Sequence, residues 1–167
     1  PGIKHVYAAD MDGDGDLDVV SLGARGESDR SQIAWHENAA GDGTTWSKHV
    51  LDRLAATGIT LRDIDDDGDM DIGIVPVDSA QGPWYENDGS QSFTQYTIST
   101  LPKDGAESVF ATDVDSDGDM DVLSASYGDD TVAWYENDGS QNFAEHVISA
   151  TADYAYSVFA ADVDGDG

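Results

Sequence analysis

The sequence predicts an all-β chain built from repeats of four short antiparallel strands. Two observations carry this reading. An aspartate-rich stretch of nine residues returns at spacings of 53, 50 and 49 residues, and the segments between its copies align with one another. Between the copies the apolar residues are β-branched and aromatic, in runs of strand length bounded by Asn, Asp and Gly, and helical periodicity is absent. Self-similarity at a fixed period decides the architecture before any single residue does.

The elements follow in order. The first strand of each repeat ends at the aspartate stretch, in V-Y-A-A-D (6–10), T-L-R-D (60–63), V-F-A-T-D (109–113) and V-F-A-A-D (158–162). The second strand starts after it, at Val19-Val20, Ile72-Gly73-Ile74-Val75 and Val122-Leu123, all apolar and mostly β-branched. The third carries A-W-H-E-N (34–38), P-W-Y-E-N (83–87) and A-W-Y-E-N (133–137), and the fourth T-W-S-K-H-V-L (45–51), S-F-T-Q-Y-T-I (92–98) and N-F-A-E-H-V-I (142–148). In the third repeat this gives strands at Ser108–Thr112, Asp121–Tyr127, Thr131–Glu136 and Phe143–Ser149. Gly128-Asp129-Asp130 and Asn137-Asp138-Gly139-Ser140 turn the chain, supplying the positive-φ positions of tight hairpins. Longer turns at Gly23–Ser31 and Ala39–Thr44 account for the extra length of the first repeat. Pro76 and Pro83 fall at strand ends, where a missing N–H is tolerated.

Four antiparallel strands in a unit of about 40–50 residues make a propeller-type blade. The chain divides into blade 1 (1–52), blade 2 (53–101), blade 3 (102–151), and the first strand and half loop of a fourth (152–167). Trp35, Trp84 and Trp134 recur at one strand position and are expected to pack between blades. Trp46 stands where Phe93 and Phe143 stand.

The aspartate stretches carry the chemistry. Asp113 to Asp121 reads D-V-D-S-D-G-D-M-D, Asp10 to Asp18 reads D-M-D-G-D-G-D-L-D, and Asp63 to Asp71 reads D-I-D-D-D-G-D-M-D; Asp162 opens D-V-D-G-D-G. Carboxylates this close repel one another, and a hard cation removes the difficulty. Calcium takes about 6–8 oxygen ligands, supplied in acidic loops from alternate positions around a turning glycine. The candidate side-chain ligands at positions 1, 3 and 5 are Asp10, Asp12 and Asp14; Asp63, Asp65 and Asp67; and Asp113, Asp115 and Asp117. Asp16, Asp69 and Asp119 at position 7 offer backbone carbonyls, and Asp18, Asp71 and Asp121 at position 9 close each site. Asp162, Asp164 and Asp166 form a half-loop lacking positions 7 and 9. Asp66, at position 4, is expected to face solvent.

Two other accounts of these loops fail. A salt-adapted surface spreads its charge, whereas 19 of the 35 acidic residues sit in the four stretches. An EF-hand needs a bidentate Glu at position 12 and flanking helices. Position 12 is Ser21, Ile74 and Ser124, and the flanks read as strands.

At 167 residues there is chain enough for a real core. The net charge of −28 argues against nucleic acid or an anionic membrane as partner. No apolar run is long enough to span a bilayer. Cysteine is absent, which removes disulfides and thiol chemistry from consideration. Loops of aspartate and carbonyl suit the millimolar calcium outside cells, so an extracellular or cell-surface location is expected. The start at Pro1, without initiator Met or signal peptide, fits a processed or excised chain.

The combination V-F-A-x-D-x-D-x-D-G-D-x-D followed by A-W-Y-E-N-D-G resembles the FG-GAP/VCBS repeat family, calcium-binding blades related to integrin α-chain propellers. The resemblance covers nearly the whole chain. It implies extracellular or surface proteins with calcium between the first and second strands of a blade, in adhesins, lectin-like proteins and accessory domains of polysaccharide enzymes.

No catalytic constellation is legible. His5, His36, His49 and His146 fall on scattered repeat positions, with no converging triad or zinc set. No glycine-rich phosphate loop follows a strand. The expected function is a non-enzymatic calcium-binding module with a structural or adhesive role, assembling with further blades or other copies of itself. The alternative is a glycan-binding propeller, for which Trp46 and Tyr154 are the aromatics to test.

Overall fold

The structure is a computed structural model, and residues 2–24, 31–76, 82–99 and 105–165 are described. Three four-stranded antiparallel sheets follow one another along the chain. The first is β1 (Ile3–Ala9), β2 (Asp18–Gly23), β3 (Ile33–Glu37) and β4 (Ser47–Asp52). The second is β5 (Ala56–Arg62), β6 (Asp71–Pro76), β7 (Gly82–Asn87) and β8 (Phe93–Ser99). The third is β9 (Ala106–Thr112), β10 (Asp121–Ser126), β11 (Thr131–Asn137) and β12 (Phe143–Ser149). In each sheet the strands lie side by side in sequence order, and no helix occurs among the described residues. This is the all-β blade architecture the sequence predicts.

The second strand of each repeat is the most apolar, and it is the most buried: every residue of β6 and β10 is buried. The sheets pack face to face through two apolar clusters. One joins Val20, Leu22, Ile33 and Trp35 of the first repeat to Ile59, Ile72, Ile74 and Tyr85 of the second. The other joins Ile64, Trp84 and Ile98 of the second to Ala111, Val122, Ala133 and Tyr135 of the third. The first strands run past one another, β5 against β9 and β1 against β5. Their polar contacts continue the series: His5 Nε2 lies 2.9 Å from Thr57 O, and Thr57 donates to Ala106 O at 2.6 Å.

The tryptophans pack as expected from the repeat alignment. Trp35 is buried and stacked on His49; Trp84 is buried and stacked on Tyr96. Trp134 keeps the stack, on His146, but is only half-buried, since no further blade follows it among the described residues.

The hairpin turns take positive φ at Gly89 and Gly139, as the Asn-Asp-Gly sequences predict, and also at Gln91 and Gln141, which the sequence does not indicate. One expectation shifts. Residues 155–162, expected to hold the first strand of a fourth blade, pair with no strand among the described residues. Val158 N donates to Ser108 Oγ at 3.3 Å, and Phe159 is 75% exposed. Most of the Gly23–Ser31 turn, at 25–30, lies outside the described residues.

Trp84→Ala should cost about 3–5 kcal/mol, because it empties a buried site between two repeats. Trp46→Ala, at a site 46% exposed, should stay within about 0.5 kcal/mol. Urea unfolding of the two variants checks the contrast.

Candidate metal centre

Each aspartate stretch is a tight loop between the first and second strands of a repeat. Two left-handed positions make the turn: position 4 (Gly13, Asp66, Ser116) at φ of 73°, 61° and 65°, and position 6 (Gly15, Gly68, Gly118) at 92°, 100° and 103°. This folds the backbone over the carboxylate at position 1. Asp10 accepts from Gly13 N at 2.8 Å and Gly15 N at 2.9 Å; Asp113 accepts from Ser116 N at 2.7 Å and Gly118 N at 3.1 Å. Asp63 accepts from Asp67 N and Gly68 N. The position-5 carboxylate accepts the N–H of position 7 in every loop, at 2.9 Å.

Positions 1, 3 and 9 converge. Asp10, Asp12 and Asp18 bring carboxylate oxygens within 4.8 Å of one another, as do Asp63, Asp65 and Asp71, and Asp113, Asp115 and Asp121. Asp14 and Asp117, at position 5, do not join these groups. In the second loop Asp67 joins Asp65 and Glu86 in a further cluster. The position-7 side chains turn away from the loop centre, over the hairpin glycine of their own repeat. A Cβ placed on Gly89 would lie 2.3 Å from Asp69 Oδ2, and one on Gly139 would lie 2.6 Å from Asp119 Oδ2. That leaves position 7 only its carbonyl for the loop. Asp66 is exposed, as expected. In the half-loop, Gly165 takes φ 79° and donates to Asp162 Oδ1 at 2.5 Å, the same first turn as the complete loops. Asp164 joins no cluster among the described residues, and Asp166 lies outside them.

Position 9 does more than the sequence indicates. Asp18, Asp71 and Asp121 are buried. One oxygen of each accepts the N–H of position 2: Met11 at 3.1 Å, Ile64 at 2.7 Å, Val114 at 2.9 Å. The other accepts the N–H of the Asn that ends the third strand: Asn38 at 2.7 Å, Asn87 at 2.8 Å, Asn137 at 2.9 Å. The carboxylate thus ties loop to sheet, and its remaining lone pairs face the cluster. The Asn at the end of W-x-E-N, present in all three repeats, was the available signal.

The electrostatics are those of unneutralised acids. Burial pushes Asp71 up to about 7, against the two backbone N–H groups that lower it, with Asp65 and Asp67 adding repulsion. Asp12, Asp65 and Asp115, all at position 3, are raised first by desolvation and then by neighbouring carboxylates. Asp65 Oδ1 is buried with no hydrogen-bond partner. Three oxygen-only carboxylates converging, with an orphaned buried oxygen among them, match what a hard divalent cation takes and not what zinc or copper prefers.

Sequence reasoning also missed how the third-strand glutamates are held. Glu37 faces His49 at 2.9 Å and Glu136 faces His146 at 2.6 Å. In the second repeat Tyr96 stands at the histidine position and hydrogen-bonds Glu86.

The FG-GAP-like repeat family matches this chain three times, over residues 10–74, 63–124 and 113–167. Each match begins at the first aspartate of a loop and runs through the next. The matches together cover nearly the whole chain, and the protein belongs to the FG-GAP-like repeat family. No curated protein matches it. Family membership and fold define a repeat module of a type that is typically non-catalytic. Among the described residues no helix is long and apolar enough to cross a membrane.

Two outcomes follow for the metal-free protein. Asp71 has its folded pKa raised above the unfolded value of about 3.9. The folded state therefore holds that proton more tightly, and the stability this gives is present below pH 4 and lost as pH rises towards 7. In chelator, the melting temperature should be higher at pH 5 than at pH 7.5. Asp66→Gly removes a side chain from a left-handed position and one repelling charge, and should stabilise the protein by about 0.5–1 kcal/mol in urea unfolding.

Proposed function

We propose that the protein is an extracellular calcium-binding repeat module with a structural or adhesive role, in which one calcium ion stiffens the loop between the first and second strands of each complete repeat. The observation that supports this most directly is the threefold recurrence of the same carboxylate triplet, at positions 1, 3 and 9, with no basic residue in any triplet. The ion would be held by Asp10, Asp12 and Asp18; by Asp63, Asp65 and Asp71; and by Asp113, Asp115 and Asp121. The position-7 carbonyls of Asp16, Asp69 and Asp119 and the position-5 carboxylates of Asp14, Asp67 and Asp117 lie within the same loops. Bound calcium supplies the positive charge the loops lack. The chain contributes a prefolded turn and a position-9 carboxylate already fixed by two N–H groups. The fourth loop, Asp162, Asp164 and Asp166, repeats the opening of this pattern.

The assembly reading rests on differences in exposure. The position-2 residues Met11 and Ile64 are each 1% exposed, covered by the following repeat, whereas Val114 is 38% exposed. A further blade, from the same chain or another copy, fits that face. A glycan-binding role is a second reading. It is favoured by Trp46, Tyr154 and Tyr156, exposed at 46%, 61% and 67%. A glycan array with and without calcium separates the two.

A ligand bound only by the folded state stabilises it by about 2.7 kcal/mol per site at one hundred times Kd. Saturating calcium should therefore raise the melting temperature well above that in chelator. Asp115→Ala should remove part of this gain, whereas Asp66→Ala should leave it whole. Identical melting curves with and without chelator would end the calcium reading.

A further inference from the structure

Successive repeats meet at a second polar site, which shares one carboxylate with the loop triplet beside it. At the boundary of the second and third repeats a cavity of about 180 Å³ is lined by Ile64 and Asp65 of one loop, Asp119 of the next, and Asn137, Gly139, Ser140 and Gln141 of the β11–β12 hairpin. Its only charged groups are carboxylates.

Asn137 is 2% exposed. Its Nδ2 donates to two carbonyls, Met120 O at 3.2 Å in its own repeat and Ile64 O at 3.4 Å in the preceding one. Those two acceptors fix the orientation of the amide, since a flipped amide would set oxygen against oxygen. Oδ1 is then obliged to accept, and it is buried without a partner. A buried acceptor left unpaired costs about 1–3 kcal/mol. Gln141, which lines the same cavity, has its amide donor engaged: Nε2 donates to Asp65 Oδ2 at 3.2 Å.

The first boundary repeats each of these bonds. Asn87, 1% exposed, donates through Nδ2 to Met11 O at 2.8 Å and Met70 O at 3.3 Å, and its Oδ1 is buried and unpaired. Gln91 Nε2 donates to Asp12 Oδ2 at 3.2 Å. Asp69 lies over Gly89 as Asp119 lies over Gly139.

The geometry points to a cation site at each repeat boundary that shares one carboxylate with a loop site, with Asp65, Asp119 and the Asn137 amide oxygen at one boundary and Asp12, Asp69 and the Asn87 amide oxygen at the other; Asp65 and Asp12 also belong to the loop triplets. The ligand class is a hard divalent cation, calcium first, because every free donor atom offered is oxygen and the position-7 carboxylate, which belongs to no loop triplet, has no basic group in the cleft. Such an ion joins one repeat to the next, where a loop ion acts within a repeat. A neutral water would satisfy the amide oxygen but would leave the position-7 carboxylate unneutralised.

The test is equilibrium dialysis of the full chain against calcium chloride, comparing the native protein with Asp69→Asn/Asp119→Asn. These substitutions remove at each boundary the one carboxylate that is not shared with a loop triplet, and leave all three triplets and the position-7 carbonyls in place. The variant is expected to bind two ions fewer than the native protein. The number it still binds reports separately on the loop sites, so loss of one reading is not loss of the other. Equal stoichiometry in the two proteins overturns the boundary sites, whatever the total. As a second variant, Gln141→Glu adds a carboxylate at one boundary and should tighten one ion several-fold; unchanged or weaker binding counts against the site. Far-UV circular dichroism in calcium confirms that each variant keeps the native sheet content.

Discussion

The buried carboxylate at position 9 is the contact on which the rest of each repeat depends. Asp18, Asp71 and Asp121 each accept one N–H from the loop and one from the end of the third strand. Charge-assisted bonds of this kind are about twice as strong as neutral ones. Without them, the loop would be joined to its sheet only at its two ends. With them, the backbone of the closing Asn is fixed, and in the second and third repeats its side chain is placed to reach the preceding loop. The apolar clusters that bury Trp35 and Trp84 then close over a joint whose register is already set by polar contacts.

This arrangement has an electrostatic cost that a counter-ion would relieve. The carboxylate that organises the repeat is itself desolvated, with further carboxylates within 4.8 Å. Burial and repulsion act in the same direction on Asp71, and the two N–H groups only partly offset them. A protein can respond by keeping such a proton or by taking up a cation. The sequence favours the second response, because it places seven Lys and Arg among 35 acidic residues and no basic residue within the triplets. On this reading the loops are folded before the ion arrives, and the ion relieves a strain that the fold has concentrated there.

Much of this was legible in the residues. The period near 50 gave three sheets of four strands in sequence order, and the third repeat's strands fall within two residues of the expected ends. Alternate aspartates marked positions 1, 3 and 5 as side-chain ligands with position 9 closing the loop; positions 1, 3 and 9 converge, and position 5 does not join them. Less visible was anything that depends on direction. Spacing alone cannot say that position 7 turns its side chain over a hairpin glycine, or that position 5 bonds its own loop in place of joining the triplet. It cannot say that a hairpin carries positive φ at Gln91 and Gln141, a residue type without special turn preference. The Asn87 and Asn137 bridges span 76 and 73 residues, and no local pattern reports a contact of that range. A strand at 157–161 was legible as a sequence but not as a ladder, since pairing is a property of two segments.

The bridges also give the stack of repeats a direction. The second and third repeats each present two different surfaces: a loop with a position-2 carbonyl and a position-3 carboxylate, and a hairpin with an Asn amide and a Gln amide. The hairpin of one repeat always meets the loop of the repeat before it, as Asn87 and Gln91 meet Met11 and Asp12. The contact is therefore heterologous, and it propagates without forming a symmetric pair. On the third repeat, Val114 and Asp115 form the loop surface, with Val114 half-exposed and Trp134 only half-covered beside it. A unit that covers this surface in the same way must bring a hairpin carrying an Asn and a Gln, as Asn87 with Gln91 and Asn137 with Gln141 do. An unrelated apolar surface would bury Val114 but leave its carbonyl and the Asp115 carboxylate without donors. The chemistry of the face is thus more selective than its hydrophobicity, and the hairpin of a repeat of the same kind would match it.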